Sequence, residues 1–109
     1  MYMSDATINN GSKILDKVTG FEWDAGNKNK NLIKHNVTNE ECEEIFFDHN
    51  KIIMKDIAHS EKEERYTLIG RTKQKRLLNA IFTIRTNTVR VISVRNLNKK
   101  YYRLYEKEN

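Results

Sequence analysis

The spacing of apolar positions divides the chain into an aperiodic start, a helical stretch, a strand-like stretch and a short helical end. Residues 1–20 scatter Ile8, Ile14, Leu15 and Val18 among Asn, Ser and Thr without a period. They read as a flexible N-terminal extension with one short turn near Ile14 and Leu15. A single domain occupies residues 21–109. Phe21 and Trp23 stand two residues apart, hence on one side of an extended segment. Asp24 is placed to cap a helix running to about His35, with Leu32 and Ile33 as its apolar anchors. Asn36 suits the left-handed turn that would end it. Thr38-Asn39-Glu40-Glu41 has the capping-box pattern, so a second helix runs to about Phe47 with Cys42, Ile45 and Phe46 on its buried face.

Beyond Phe47 the period becomes two. Lys51–Asp56, Arg65–Arg71, Leu77–Ile84 and Thr88–Arg95 are strand candidates. The connections Thr72–Arg76 and Arg85–Asn87 are short enough for hairpins, which makes those strands antiparallel neighbours. Leu97, Tyr101 and Leu104 recur at helical spacing and predict a terminal helix from Asn96 on. The fold class is α+β: two helices packed on one face of an antiparallel sheet of about four or five strands, with a C-terminal helix. The other sheet face is left open to water.

Charge sharpens this picture. The net charge is +5, but residues 1–64 hold 8 lysines against 13 acids, and residues 65–109 hold 12 basic residues against 2 acids. All seven arginines lie in the second group, six of them on or beside the strand candidates and Arg103 in the predicted terminal helix. A guanidinium fork matches phosphate oxygens two at a time, so a polyanion or an acidic protein is the natural partner. No apolar run is long enough to cross a membrane, and the first residues lack the apolar stretch of a secretory signal. With Cys42 as the only cysteine, no internal disulfide can form, and a reducing cytoplasm is the expected location.

The familiar catalytic signatures are missing. The glycines are isolated, so there is no phosphate loop, and the single cysteine and three histidines show no zinc spacing. No metal or cofactor is expected. RNA cleavage needs neither, because the substrate carries its own nucleophile in the 2′-hydroxyl. A base or acid and well-placed cations suffice. Arg65, Arg85 and Arg95 on rigid strands suit the cationic role. His59, Tyr105, His35 and Lys34 are the candidates for moving the proton, with Lys34, His35 and Arg71 as further RNA contacts. By strand parity Arg90 and Arg95 fall on opposite faces. Arg76 and Arg103 are expected to be solvated.

An ordered set of residues carries a resemblance. Phe21-Glu22-Trp23-Asp24, Asn31-x-x-Lys34-His35-x-Val37 and Glu40-Glu41 are followed by His59-Ser60, Glu64-Arg65-x-x-x-Ile69-Gly70 and Phe82-Thr83-x-Arg85. Arg90-x-Ile92-Ser93-x-Arg95 and Tyr105-Glu106 complete it. This series, from Phe21 to Glu106, resembles the BrnT toxin family. The resemblance implies a fold like that of the RelE/ParE toxins and a metal-independent endoribonuclease that halts translation. It also implies neutralisation by a BrnA-type antitoxin, in a heterotetramer formed through antitoxin dimerisation. The antitoxin reads DNA in such pairs, so this chain is not expected to. Asn27 stands where the family often has lysine, which would weaken an RNA contact there. A non-catalytic RNA- or ribosome-binding module is the alternative reading. The charge split predicts an antitoxin that covers the arginine-rich half.

Overall fold

A computed structural model describes residues 13–59 and 62–107. The elements in chain order are β1 (Gly20–Phe21), α1 (Lys30–His35), α2 (Asn39–Phe46), β2 (Ile52–Lys55), β3 (Arg65–Arg71), β4 (Leu77–Arg85), β5 (Thr88–Asn96) and α3 (Tyr102–Lys107). Tight turns of 3-10 type occupy Ile57–His59 and Lys99–Tyr101. The sheet has the strand order β1-β5-β4-β3-β2. β2 to β5 form the expected antiparallel meander. The two residues of β1 pair with β5 in parallel, so the sheet is mixed. No hairpin links β1 to its neighbour, and nothing in the local pattern sets its direction.

The second helix forms as its sequence dictates. The Thr38 hydroxyl accepts from the Glu41 N–H, and the Glu41 carboxylate accepts from the Thr38 N–H, both at 3.0 Å. Cys42, Ile45 and Phe46 are buried against the sheet. Contact is tight at Gly70, where an added Cβ would stand 2.8 Å from the Ile45 carbonyl oxygen. The absence of a side chain there lets α2 rest on β3.

The first helix is shorter than expected. Asp24 closes a turn and caps no helix: its carboxylate accepts from the Gly26 N–H at 2.8 Å, and its carbonyl from the Lys28 N–H at 2.7 Å. Asn29 then takes a left-handed φ of 58°, which a helix interior does not accommodate, so α1 begins only at Lys30. Asn36 ends it in the left-handed conformation, as its sequence predicts. Leu32 and Ile33 do not anchor this helix; they are 41% and 87% exposed. α1 lies along the polar edge of β5, so the residue it buries is Asn31.

Each sheet face has its own core. Under α2, Val37, Cys42, Ile45 and Phe46 pack on Ile53, Leu68, Leu78, Ala80, Phe82, Val89, Val91 and Val94. Phe21 of β1 and Trp23 just after it join this core, as do Ile14, Leu15 and Val18 from the segment before β1. Residues 1–12 of the sequence-assigned extension lie outside the described residues. On the opposite face a smaller core of Ile52, Met54, Ile69, Leu97 and Tyr105 sits beneath α3.

Val91 and Val94 share one core although they differ by an odd number of positions. The cause is a β-bulge. Phe82 faces Val91 and Ile81 faces Ser93, which leaves Ile92 as an extra residue in β5. Two buried asparagines hold the bulged edge. Asn27 donates to the Val91 carbonyl at 3.2 Å, and Asn31 accepts from the Val94 N–H at 2.9 Å.

Candidate nucleic-acid interface

The bulge corrects the parity expectation for the arginines. Thr83 pairs with Arg90 and Asn79 with Arg95, and residues 79 and 83 of β4 point the same way, so Arg90 and Arg95 share a face. Arg65 opposite Thr83, Arg71 on the parity of Arg65, and Arg85 two residues past Thr83 share it too. All five strand arginines therefore project from the face turned away from α2.

Their environments differ. Arg90 is clamped, with a side chain only 15% exposed. It donates to Glu22 at 2.9 Å and to both oxygens of Asp24 at 2.7 and 3.1 Å. Its hydrogen bonds pull the exposed Asp24 carboxyl below the usual carboxylate range, with the Gly26 N–H assisting. Arg85 is half-exposed and more loosely held, 3.4 Å from Glu63 and 3.9 Å from Glu22. The fold supplies these acids from the segment just after β1 and from the β2–β3 loop, far from Arg85 in sequence. Arg71 lies 5.1 Å from the centre of the Tyr105 ring. Arg65 is partly buried at the start of β3. Arg95 is exposed and forms no ion pair with any described residue.

Residues 23–100 match the family model of the ribonuclease toxin BrnT of type II toxin–antitoxin systems. The chain belongs to the BrnT family. No individually curated protein matches it. The match takes in all five strand arginines of this BrnT toxin and ends before Tyr105.

The remaining candidates of the toxin do not converge on one point. Arg65 and Arg71 sit at opposite ends of β3, about 20 Å apart at ordinary strand rise. Arg85 and the loop containing His59 belong to the Arg65 end; the His59 side chain lies outside the described residues. Tyr105 belongs to the Arg71 end. Its hydroxyl donates to Asp48 at 2.6 Å, and burial, with that bond, pushes its pKa up to about 12. It stays protonated at neutral pH with its proton held by Asp48. Lys34 and His35 lie on α1 beside β5, two strands from β3. Lys34 is exposed, and the His35 carbonyl accepts from Arg76.

One expectation fails here. Arg76 is not a solvated turn residue. It donates to Asn96 Oδ1 and the Asn36 carbonyl at 2.8 Å each, to Glu41 at 3.1 Å and to His35 at 3.4 Å. It ties the β3–β4 turn to the C-terminus of α1 and to the capping box of α2. Asn27, where the family often has lysine, is built into the fold. It is 3% exposed, donating to the Glu22 and Val91 carbonyls and accepting from the Asp24 N–H. Asn27 and Asn31 set the arginine face by fixing the bulge. Sequence reasoning missed that role, because a buried asparagine has no pattern that separates it from an exposed one.

Proposed function

We propose that this toxin cleaves RNA on the arginine face of its sheet and thereby blocks translation, with Arg95 meeting the scissile phosphate. In the proposed step the 2′-oxygen attacks the adjacent phosphorus, its proton passes to a base, and the 5′-oxygen leaves with a proton from an acid. Negative charge builds on the phosphorane oxygens, where a preorganised guanidinium has its largest effect. One observation carries the assignment: the bulge turns Arg95 onto the face of Arg65, Arg85 and Arg90, and Arg95 has no carboxylate partner among the described residues. Arg65 and Arg85, about 13 and 20 Å along the sheet from the level of Arg95, act as ligands for phosphates further along the strand, Arg85 exchanging its long carboxylate contacts for RNA. His35 and Lys34, on α1 beside β5, are the groups for proton transfer at Arg95; His59 belongs to the Arg65 end, about 13 Å along the sheet from the level of Arg95, and Tyr105, bound to Asp48, has less freedom to take part. The reaction needs no metal. The protein acts in the cytoplasm, and its partner is a BrnA-type antitoxin joined to it in a heterotetramer through antitoxin dimerisation.

Single-turnover cleavage measured beside RNA affinity at fixed salt tests this reading. Arg95→Ala should lower turnover by about 10²–10³-fold, the usual cost of one preorganised donor, and reduce affinity much less. Arg103→Ala removes an exposed charge from α3 and serves as the reference. Cleavage should persist in EDTA and leave a 2′,3′-cyclic phosphate. If both variants lose only affinity, in equal measure, the chain is a non-catalytic RNA- or ribosome-binding module.

A further inference from the structure

The layer opposite the arginine face carries a different kind of surface. Phe47 follows the last residue of α2 and is 74% exposed, while its neighbour Phe46 is buried. Phe47 forms the ridge between two concavities. On one side a groove of about 240 Å³ is walled by Leu15, Val18, Phe21, Phe46 and Val89. On the other a hollow of about 540 Å³ is lined by four acids, Glu40, Glu43, Glu44 and Asp48, and by two cations, Arg71 and Lys73. A large exposed aromatic between two concavities is what a buried anchor of a protein interface looks like before its partner arrives.

The charge around Phe47 says what the partner must carry. α2 has acids in its first turn, where the helix dipole favours them, but it continues with Glu43 and Glu44 and has no basic residue in its last turn. Acids toward a helix C-terminus add to the negative end of the dipole. That costs stability, and no described lysine or arginine forms a salt bridge to Glu40, Glu43 or Glu44. Glu43 accepts from the Trp23 indole N–H at 2.7 Å and Glu44 from the Lys73 backbone N–H at 3.0 Å, both neutral donors. A cation supplied from outside would relieve this negative field.

We propose that the Phe47 ridge is the anchoring site for a basic amphipathic segment of the antitoxin. The segment packs its apolar side chains into the groove against Phe21 and Val89. It sets its lysines or arginines over Glu40, Glu43 and Glu44. The proposal rests on the family assignment, in which a protein partner neutralises the toxin, and adds where that partner grips. This grip on the acidic layer replaces the expectation drawn from the charge split alone, which set the antitoxin on the arginine-rich half; it leaves the arginine face to RNA.

The test uses the full-length toxin and the purified antitoxin encoded with it. Phe47→Ala should lower antitoxin affinity at least about thirtyfold, as expected for a central aromatic anchor. Glu40→Lys should slow association, most strongly at low salt. Ile57→Ala, which truncates an equally exposed apolar side chain elsewhere, should leave affinity unchanged. RNA cleavage by each free variant is measured separately, so failure of the ribonuclease reading and failure of this one remain distinct. Antitoxin affinity of Phe47→Ala within about twofold of the parent, far below any anchor effect, overturns the proposal. So does a parent chain that self-associates through Phe47, because the occupant would then be a second copy.

Discussion

Replacing Arg76 with alanine removes one side chain that joins three elements, and the structure sets the size of the loss. Arg76 makes hydrogen bonds of 2.8 Å to Asn96 and Asn36 and of 3.1 Å to Glu41, with both partners of the Glu41 ion pair about a quarter exposed. Fully buried charge-assisted bonds of this kind would contribute about 1.5–3 kcal/mol each; partial access of water brings the whole clasp to about 2–3 kcal/mol. For a domain of this size that is a fall in Tm of about 8–15 °C. The loss should also depend on pH. Burial works to raise the Glu41 carboxyl pKa, but the Thr38 N–H and the Arg76 guanidinium outweigh it, and the net shift is downward. A depressed carboxylate stabilises the fold above its unfolded value, near 4.5, and that share is lost as pH falls through the folded value. The difference between parent and Arg76→Ala should therefore be full at pH 7 and shrink as pH drops below about 4.5. Urea unfolding of both proteins across this range is the assay. A difference under about 0.5 kcal/mol at pH 7, typical of a plain surface substitution, would falsify the clasp. A difference that stays constant on acidification would remove Glu41 from the account.

Three further outcomes follow from individual contacts. Gly70→Ala places a methyl 2.8 Å from the Ile45 carbonyl and 2.9 Å from its Cβ, so α2 must move off β3, at a cost of about 1–3 kcal/mol in thermal or urea unfolding. Tyr105→Phe should cost about 1 kcal/mol through the lost Asp48 bond while RNA turnover holds. Because the phenol's pKa is raised in the folded state, its contribution is complete below about 10 and disappears as pH climbs toward about 12; a large fall in turnover at neutral pH would restore Tyr105 to the catalytic set. Asn31→Ala frees the Val94 N–H at the bulge, and single-turnover cleavage should drop together with stability; unchanged cleavage would show that the bulge holds Arg95 in place without it.

The local features of this chain were legible because each depends on neighbours in sequence. The Thr38–Glu41 capping box, the left-handed Asn36 and the strands of the meander all form from hydrogen bonds or periodicity spanning a few residues. The family assignment was legible for a related reason: spaced motifs survive in the chain whatever their packing. The arginine face was only half visible. Parity is a local rule, and one extra residue at Ile92, fixed by Asn27 and Asn31 from more than sixty positions away, reverses it for Arg95. Charge pairing shows the same limit. Arg85 and Arg90 have no acid near them in sequence, yet the parallel return of β1 along β5 delivers Glu22 and Asp24 to them. Arg76, in what read as an ordinary turn, is tied to Glu41 by the same kind of long-range approach. Sequence determined which residues could bind phosphate; which arginines lack a carboxylate partner among the described residues was decided by tertiary structure, because Coulomb energies depend on distances that only the folded chain defines.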